Sequence, residues 1–212
     1  MGRIKKGILG NFAGKVGTVA GSTWKGIGYM RSLPESTGGD PSPAQLAHRA
    51  KFAFVIKFLK SLTGLLEFSF NDEAIHQSGF NAAMSHTMKS AVVGTAPNLL
   101  LSYPQVLVSR GSLPNAGGPT AAAGAAGKIV FSWTDNTGLG KTQSTDRAIL
   151  VAYSPDLGIS AYTIANDMRS SGTSTLNVVG FNGKTVQTWI SFLSADGSEI
   201  ATSLYTGPVN VV

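Results

Sequence analysis

Apolar and polar positions change rhythm along this chain. Between 52 and 62, Phe52, Val55, Ile56, Leu59 and Leu62 recur every three or four residues, with Arg49, Lys57 and Lys60 on the opposite side. That spacing predicts an amphipathic helix. Its start is marked by Ser42 as cap, Pro43 at the first helical position and Gln45 three residues after the cap. A second helix is predicted after Asn71–Glu73, whose carboxylates suit a helix N-terminus. Phe80, Met84 and Met88 repeat there at four-residue spacing, and Gly94 and Pro97 in "VVGTAPN" end it.

From about 100 onward the period drops to two. In "KIVFSWT", Ile129, Phe131 and Trp133 alternate with Val130, Ser132 and Thr134. "RAILVAY" puts Ile149, Val151 and Tyr153 on one face, and "TVQTWISFL" sets Val186, Ile190 and Phe192 opposite Trp189 and Leu193. "QVLVSRG", "TLNVV", "IATSLYTG" and "VNVV" add further short β patterns, and "ADGSE" is a turn. About seven strands with turns between them predict a two-sheet sandwich. This region carries its own alternating core and is expected to fold alone.

The first 40 residues follow neither rhythm. Glycine stands at 7, 10, 14, 17 and 21, at nearly helical intervals. Each glycine costs a helix about 1 kcal/mol relative to alanine, so a soluble helix is excluded. Lys15 and the short length exclude a membrane helix. An extended form remains: "KVGTVAGSTWKGIGYMRSLP" predicts two strands turning near Lys25 and Gly26. Ile4, Ile8, Leu9, Phe12, Val16, Val19 and Trp24 are too few to build a core, so this arm has to lie on something else.

The fold class expected is therefore α+β. A glycine-rich N-terminal β arm (1–40) precedes a short helical segment (41–99) and a C-terminal immunoglobulin/fibronectin III-like β-sandwich (100–212). The alanine- and glycine-rich "NAGGPTAAAGAAG" reads as part of a low-complexity loop over 111–127. The sandwich resembles fibronectin type III and immunoglobulin-like domains in its early-strand Trp133 and in the late hairpin "TWISFLSADGSEIATSLYTG".

Charge adds an asymmetry. The net +6 arises entirely at the N-terminal end: residues 1–60 hold ten basic side chains against Glu35 and Asp40, and the two stretches 61–127 and 128–212 are each −1. Such a segment meets an acidic partner: nucleic acid, an anionic surface or an acidic face of another subunit. Cysteine is absent, which excludes disulfides and thiolate metal sites. The basic start lacks the apolar stretch of a signal peptide, because Gly10, Asn11, Gly14 and Lys15 interrupt it. Synthesis in the cytoplasm without a signal peptide is expected, with the final location, extracellular or within a particle, left open. No apolar run is long enough to span a membrane.

"DNTGLGKT" has Asp135 where a phosphate loop needs its first glycine, and lies between strands with no helix to follow. His48, His76 and His86 form no HExxH pair and have no cysteine companions. "GISAY" around Ser160 lacks the second glycine of a nucleophile elbow. No paired carboxylate stands out. The expectation is no enzymatic activity, no cofactor and no metal. Lys15, Trp24, Lys25, Tyr29 and Arg31 interleave cations with rings, as nucleic-acid surfaces do. Packing of the arm on a neighbouring subunit is the preferred reading of the same residues.

The start, "MGRIKKGILGNFAGKVGTVAGSTWKGIGYMRSLP", together with "SPAQLAHRAKFAFVIKFL", "FSWTDN" and "TDRAILVAY", resembles a family of uncharacterised Bacteroidota proteins of about 200 residues. The resemblance covers nearly the whole chain and implies a bacterial origin. "PAQLAHR" is also loosely similar to helices of phage structural proteins. The function expected is a non-enzymatic structural protein that self-assembles into a filament, tube or shell. Strand addition by the N-terminal arm would join copies of the chain. Its interface residues would be Phe12, Gly14, Lys15, Gly17, Gly21, Trp24, Lys25 and Arg31. The alternatives are a nucleic-acid-binding module using the basic arm and an adhesin-like binding domain.

Overall fold

Two-residue turns between short β segments organise the N-terminal end. A computed structural model of the chain describes residues 3–4, 10–24, 26–33, 39–71 and 77–212. β1 (Arg3–Ile4), β2 (Phe12–Val16), β3 (Val19–Trp24) and β4 (Ile27–Ser32) form an antiparallel sheet in sequence order. Val16 pairs with Val19 across Gly17 and Thr18, and Trp24 pairs with Ile27 across Lys25 and Gly26. Gly17 lies at φ +57°, the positive φ that tight hairpin turns demand. The predicted reversal near Lys25 and Gly26 is present, and a second one precedes it. This sheet belongs to a unit, Met1–Ser42, that is compact separately from Pro43–Val212.

The larger unit opens with helices. α1 (Pro43–Leu59) starts with the predicted proline, followed by a 3₁₀ turn (Lys60–Leu62) and α2 (Thr63–Ser69). Its buried side chains are Val55, Phe58, Leu59 and Leu62, whereas Phe52 and Ile56 are exposed. The inward face is thus rotated from the predicted stripe, with Phe58 packed against the Tyr153 and Trp189 rings. α3 (Gly79–His86) is capped by Ser78, whose side chain accepts from the Asn81 backbone N–H at 3.2 Å. The predicted start at Asn71–Glu73 falls largely outside the described residues, which omit 72–76. A π turn (Thr87–Ala91) then leads into the hairpin β5 (Val92–Thr95) and β6 (Asn98–Leu101), so the chain after α3 turns back as strands.

The sandwich comprises β7 (Gly117–Ala123), β8 (Lys128–Thr134), β9 (Arg147–Ser154), β10 (Ile159–Met168), β11 (Thr173–Asn177), β12 (Thr185–Leu193) and β13 (Leu204–Asn210). One sheet runs β11-β8-β7 and the other β10-β9-β12-β13, all antiparallel. The predicted low-complexity loop over 111–127 is corrected over Gly117–Ala123, which is edge strand β7: Thr120 to Ala123 pair in register with β8, after a bulge at Gly118 and Pro119. "QVLVSRG" is not a strand of either sheet. Its Val106 and Val108 are buried, and the Val108 N–H donates to the Ser203 hydroxyl at 2.9 Å.

The sheets enclose Ile129, Phe131 and Trp133 of β8 and Val186, Ile190 and Phe192 of β12, the faces that the alternation sets apart, but from β9 they take Leu150 and not the Ile149, Val151 and Tyr153 face. The other face of β9 and β12 is not solvated. Ile149, Val151, Tyr153, Trp189 and Leu193 pack with Val55, Phe58, Leu59, Leu65 and Leu66 of the helices. Phe58 meets the Tyr153 ring edge-on with centroids 4.7 Å apart, and the Trp189 indole N–H donates to the Val106 carbonyl at 3.2 Å. The helical segment and the sandwich therefore share a core, giving three layers: helices, a four-stranded sheet and a three-stranded sheet. Strands buried on both faces read as continuous apolar runs, as "AILVAY" does.

Candidate functional site

Directly opposed residues of an antiparallel pair share a face. Gly14 opposes Gly21, which opposes Met30; Val16 opposes Val19, which opposes Ser32. These residues, with Phe12, make one uncharged face of the N-terminal sheet. Lys15 opposes Ala20, which opposes Arg31; Ser22 opposes Tyr29, and Trp24 opposes Ile27. These make the other face. The eight residues expected on a single interface are thus divided: Phe12, Gly14 and Gly21 on one side, Lys15, Trp24 and Arg31 on the other. Gly17 sits in a turn between them, and Lys25 lies outside the described residues.

The glycines serve close approach inside the arm itself. A Cβ on Gly21 would lie 2.2 Å from the Phe12 carbonyl oxygen and 2.7 Å from its ring. Gly14, at φ +106°, lets the chain bend there so that Phe12 lies across Gly21. Phe12 is therefore half-buried in its own sheet. Val16, Trp24, Ile27, Tyr29 and Met30 remain exposed. β4 has β3 on one side and no partner on the other among the described residues.

A second polar centre lies at one end of the sandwich. Arg169, in a 3₁₀ turn after β10, is fully buried. Its Nε donates to Asp146 Oδ2 at 3.0 Å, Nη1 to Asn136 Oδ1 at 2.7 Å and Nη2 to the Pro114 carbonyl at 2.9 Å. The guanidinium carbon is 4.3 Å from the centre of the Phe192 ring, and the Arg169 carbonyl accepts from the Trp133 indole at 2.8 Å. Burial pulls the guanidinium pKa down, while Asp146 acts the other way. Three connections are tied together by this one side chain. Sequence reasoning missed it; a signal was available in a single arginine closing a strand at "DMRSSG".

Beyond it opens a cleft of ≈ 480 Å³ lined by Gln143, Ser194, Asp196, Ser198 and the Lys141–Glu199 ion pair, among others. Hydrogen bonds from the Ser194 hydroxyl, then from the Ser198 backbone N–H and hydroxyl, lower the Asp196 pKa to about 2. These serines serve the turn, and no histidine or cysteine is among the residues that line the cleft. The 135–142 stretch is a turn: Asp135 Oδ1 accepts from the Thr137 backbone N–H and hydroxyl at 2.9 and 2.6 Å. Ser160 is hydrogen-bonded to the Ser61 hydroxyl at 2.6 Å. His48 is exposed on α1, His86 lies on α3, and His76 is outside the described residues. Among the described residues, no three His, Cys, Asp or Glu side chains cluster to hold a metal ion, and no helix is long and apolar enough to cross a membrane.

Strand order and the helical layer define an α+β protein with a fibronectin III-like sandwich. The chain belongs to a family of unknown function, DUF6266, which matches over residues 11–207. Among solved structures it is similar to the fn3 domain of human collagen alpha-1(XX) chain, at 12% identity and a TM-score of 0.34, covering 46% of this chain and 85% of that one. Comparison with curated proteins gave no match.

Proposed function

We propose that the protein is a non-enzymatic structural subunit that self-assembles into a filament, tube or shell through its N-terminal sheet. The observation behind this reading is the exposure of Met30 and Val16 (70% and 55%) on the uncharged face of a four-stranded sheet whose β4 has no partner on its outer side among the described residues. Exposed edges with apolar side chains are templates for pairing with another chain. The occupant is a second copy: β4 adds to its sheet edge, and the uncharged face around Val16 and Met30 packs against the same face of the neighbour. Association would cover the apolar side chains that this sheet leaves exposed. A Bacteroidota origin belongs to the same reading and rests on the opening motif.

Light scattering and negative-stain microscopy of the full chain and of a chain lacking residues 1–42 test this. The full chain is expected to form a defined oligomer or polymer. The shortened chain is expected to be a folded monomer. An oligomer of the same size from both removes the sheet as the joint.

A further inference from the structure

The basic residues of the arm and its exposed rings were interleaved in sequence; the register decides where they point. Lys15 and Arg31 flank Ala20 in one row across the sheet, Tyr29 and Ser22 form the next row, and Trp24 and Ile27 the last. All belong to one face, and Lys15, Arg31, Tyr29 and Trp24 are exposed. Trp24 and Tyr29 are diagonal neighbours across β3 and β4, about 7–8 Å apart at the backbone. That separation lets each ring take its own flat partner, with the two cations one row further along.

Among the described residues, neither Lys15 nor Arg31 has an ion-pair partner. No Asp or Glu precedes Glu35, so Arg3, Lys5, Lys6, Lys15, Lys25 and Arg31 stand unopposed in sequence. In the larger unit the carboxylates are scattered and mostly engaged. Asp146 holds Arg169, Glu199 holds Lys141, Asp156 holds Lys184, and Asp167 accepts from Ser174. Three of these carboxylates already pair with a cation of their own chain.

We infer that the Lys15–Trp24–Tyr29–Arg31 face binds single-stranded nucleic acid, with bases stacked on Trp24 and Tyr29 and phosphates neutralised by Lys15 and Arg31. Rings lying open on a sheet take unpaired bases, and cations beside them follow the backbone. A duplex hides its base faces and would use only the charges. An anionic membrane fits less well, because an inserting hairpin puts apolar groups at its tip, and the described hairpin turn between Val16 and Val19 is Gly17 and Thr18. The inference does not depend on self-assembly: the uncharged face and the β4 edge are separate surfaces.

Fluorescence anisotropy of the full chain with labelled oligo(U) and oligo(dT) tests it. Binding is expected at low salt and should weaken steeply as salt rises, through counterion release. Trp24→Ala with Tyr29→Ala should weaken binding about tenfold or more, since each stacked base contributes roughly 1–3 kcal/mol. Trp24→Phe with Tyr29→Phe keeps the rings and should retain binding, which separates stacking from folding of the sheet. Met30→Ala, on the opposite face, should leave affinity unchanged. Lys15→Ala with Arg31→Ala should flatten the salt dependence by roughly 1.4 in log–log slope. The inference is overturned by no binding at low salt, by affinity equal to that for heparin and indifferent to the ring-removing variant, or by binding to phosphatidylserine vesicles but not to the oligonucleotides. Assembly, read separately by light scattering, can fail or persist in any of these cases.

Discussion

β3 and β8 are both short antiparallel strands with aromatic and aliphatic side chains, yet their fates differ. Ile129 and Phe131 of β8 are fully buried, whereas Trp24 at the end of β3 is 52% exposed. The difference lies in what stands opposite. β8 faces a second sheet that offers Leu150, Ile190 and Phe192, and that sheet is itself backed by helices. Among the described residues of the N-terminal sheet, Phe12 folds over Gly21 of the same sheet. One region has completed its layers, and the other keeps apolar side chains exposed. Apolar side chains open to water on both faces of a sheet are what interaction surfaces expose.

The largest way to break this contrast is to strip the larger unit of its helices. A fragment of residues 100–212 would expose Ile149, Val151, Tyr153 and Trp189, all buried against α1 and α2 in the whole chain. It is expected to aggregate, or to lose near-ultraviolet circular dichroism while keeping β signal. A soluble monomer with a cooperative melt would show that the shared core is dispensable.

A smaller effect sharpens the same contrast. Asp146→Asn or Arg169→Met breaks a fully buried pair and leaves a charge or its hydrogen-bonding groups without a partner. The expected loss is about 3–5 kcal/mol, a fall in Tm of roughly 10 °C for a unit of this size. Trp24→Ala removes a larger side chain from an exposed position and should change the stability of the larger unit by less than about 0.5 kcal/mol. Thermal melts of the three variants check the order.

The smallest effect is electrostatic and local. Asp196 has its pKa lowered to about 2 by the Ser194 and Ser198 hydrogen bonds, against about 3.9 for a free aspartate. A depressed carboxylate stabilises the fold above its unfolded pKa and loses that contribution as pH falls through the folded value. The 194–199 turn should therefore stay ordered above pH 4 and loosen between about pH 4 and 2. Carboxyl chemical shifts followed by NMR would report a midpoint near the folded value. A midpoint close to that of free aspartate would mean these hydrogen bonds do not persist in solution. Asp196 is exposed, so the effect belongs to the turn and not to global stability.

Local patterns made much of this legible in advance. Pro43 marks the start of α1 because a missing N–H is harmless only there. Ile129, Phe131 and Trp133 face the interior because a strand's period is two, and Gly26 sits in the hairpin turn that "WKGIG" implied. The alanine-rich edge strand was hidden because its side chains give no alternation, and "QVLVSRG" misled because buried valines need not belong to a ladder. For the candidate site, the sequence announced the cations, the rings and the glycines. It did not say that Lys15, Trp24 and Arg31 point away from Phe12 and Gly21.

What the sequence by itself determined was the identity of each segment, helical or extended, since that depends on neighbours a few residues apart. Only the tertiary structure decided which faces are covered. Register across strands sorts the arm's residues onto two sides, and packing of Phe58 on Tyr153 turns an apparently self-sufficient sandwich into the middle and outer layers of a larger core. Contacts such as Arg169 to Asp146, Asn136 and Pro114 join residues distant along the chain. Their energies depend on burial and geometry that no local pattern contains, so they exist only once the layers have closed.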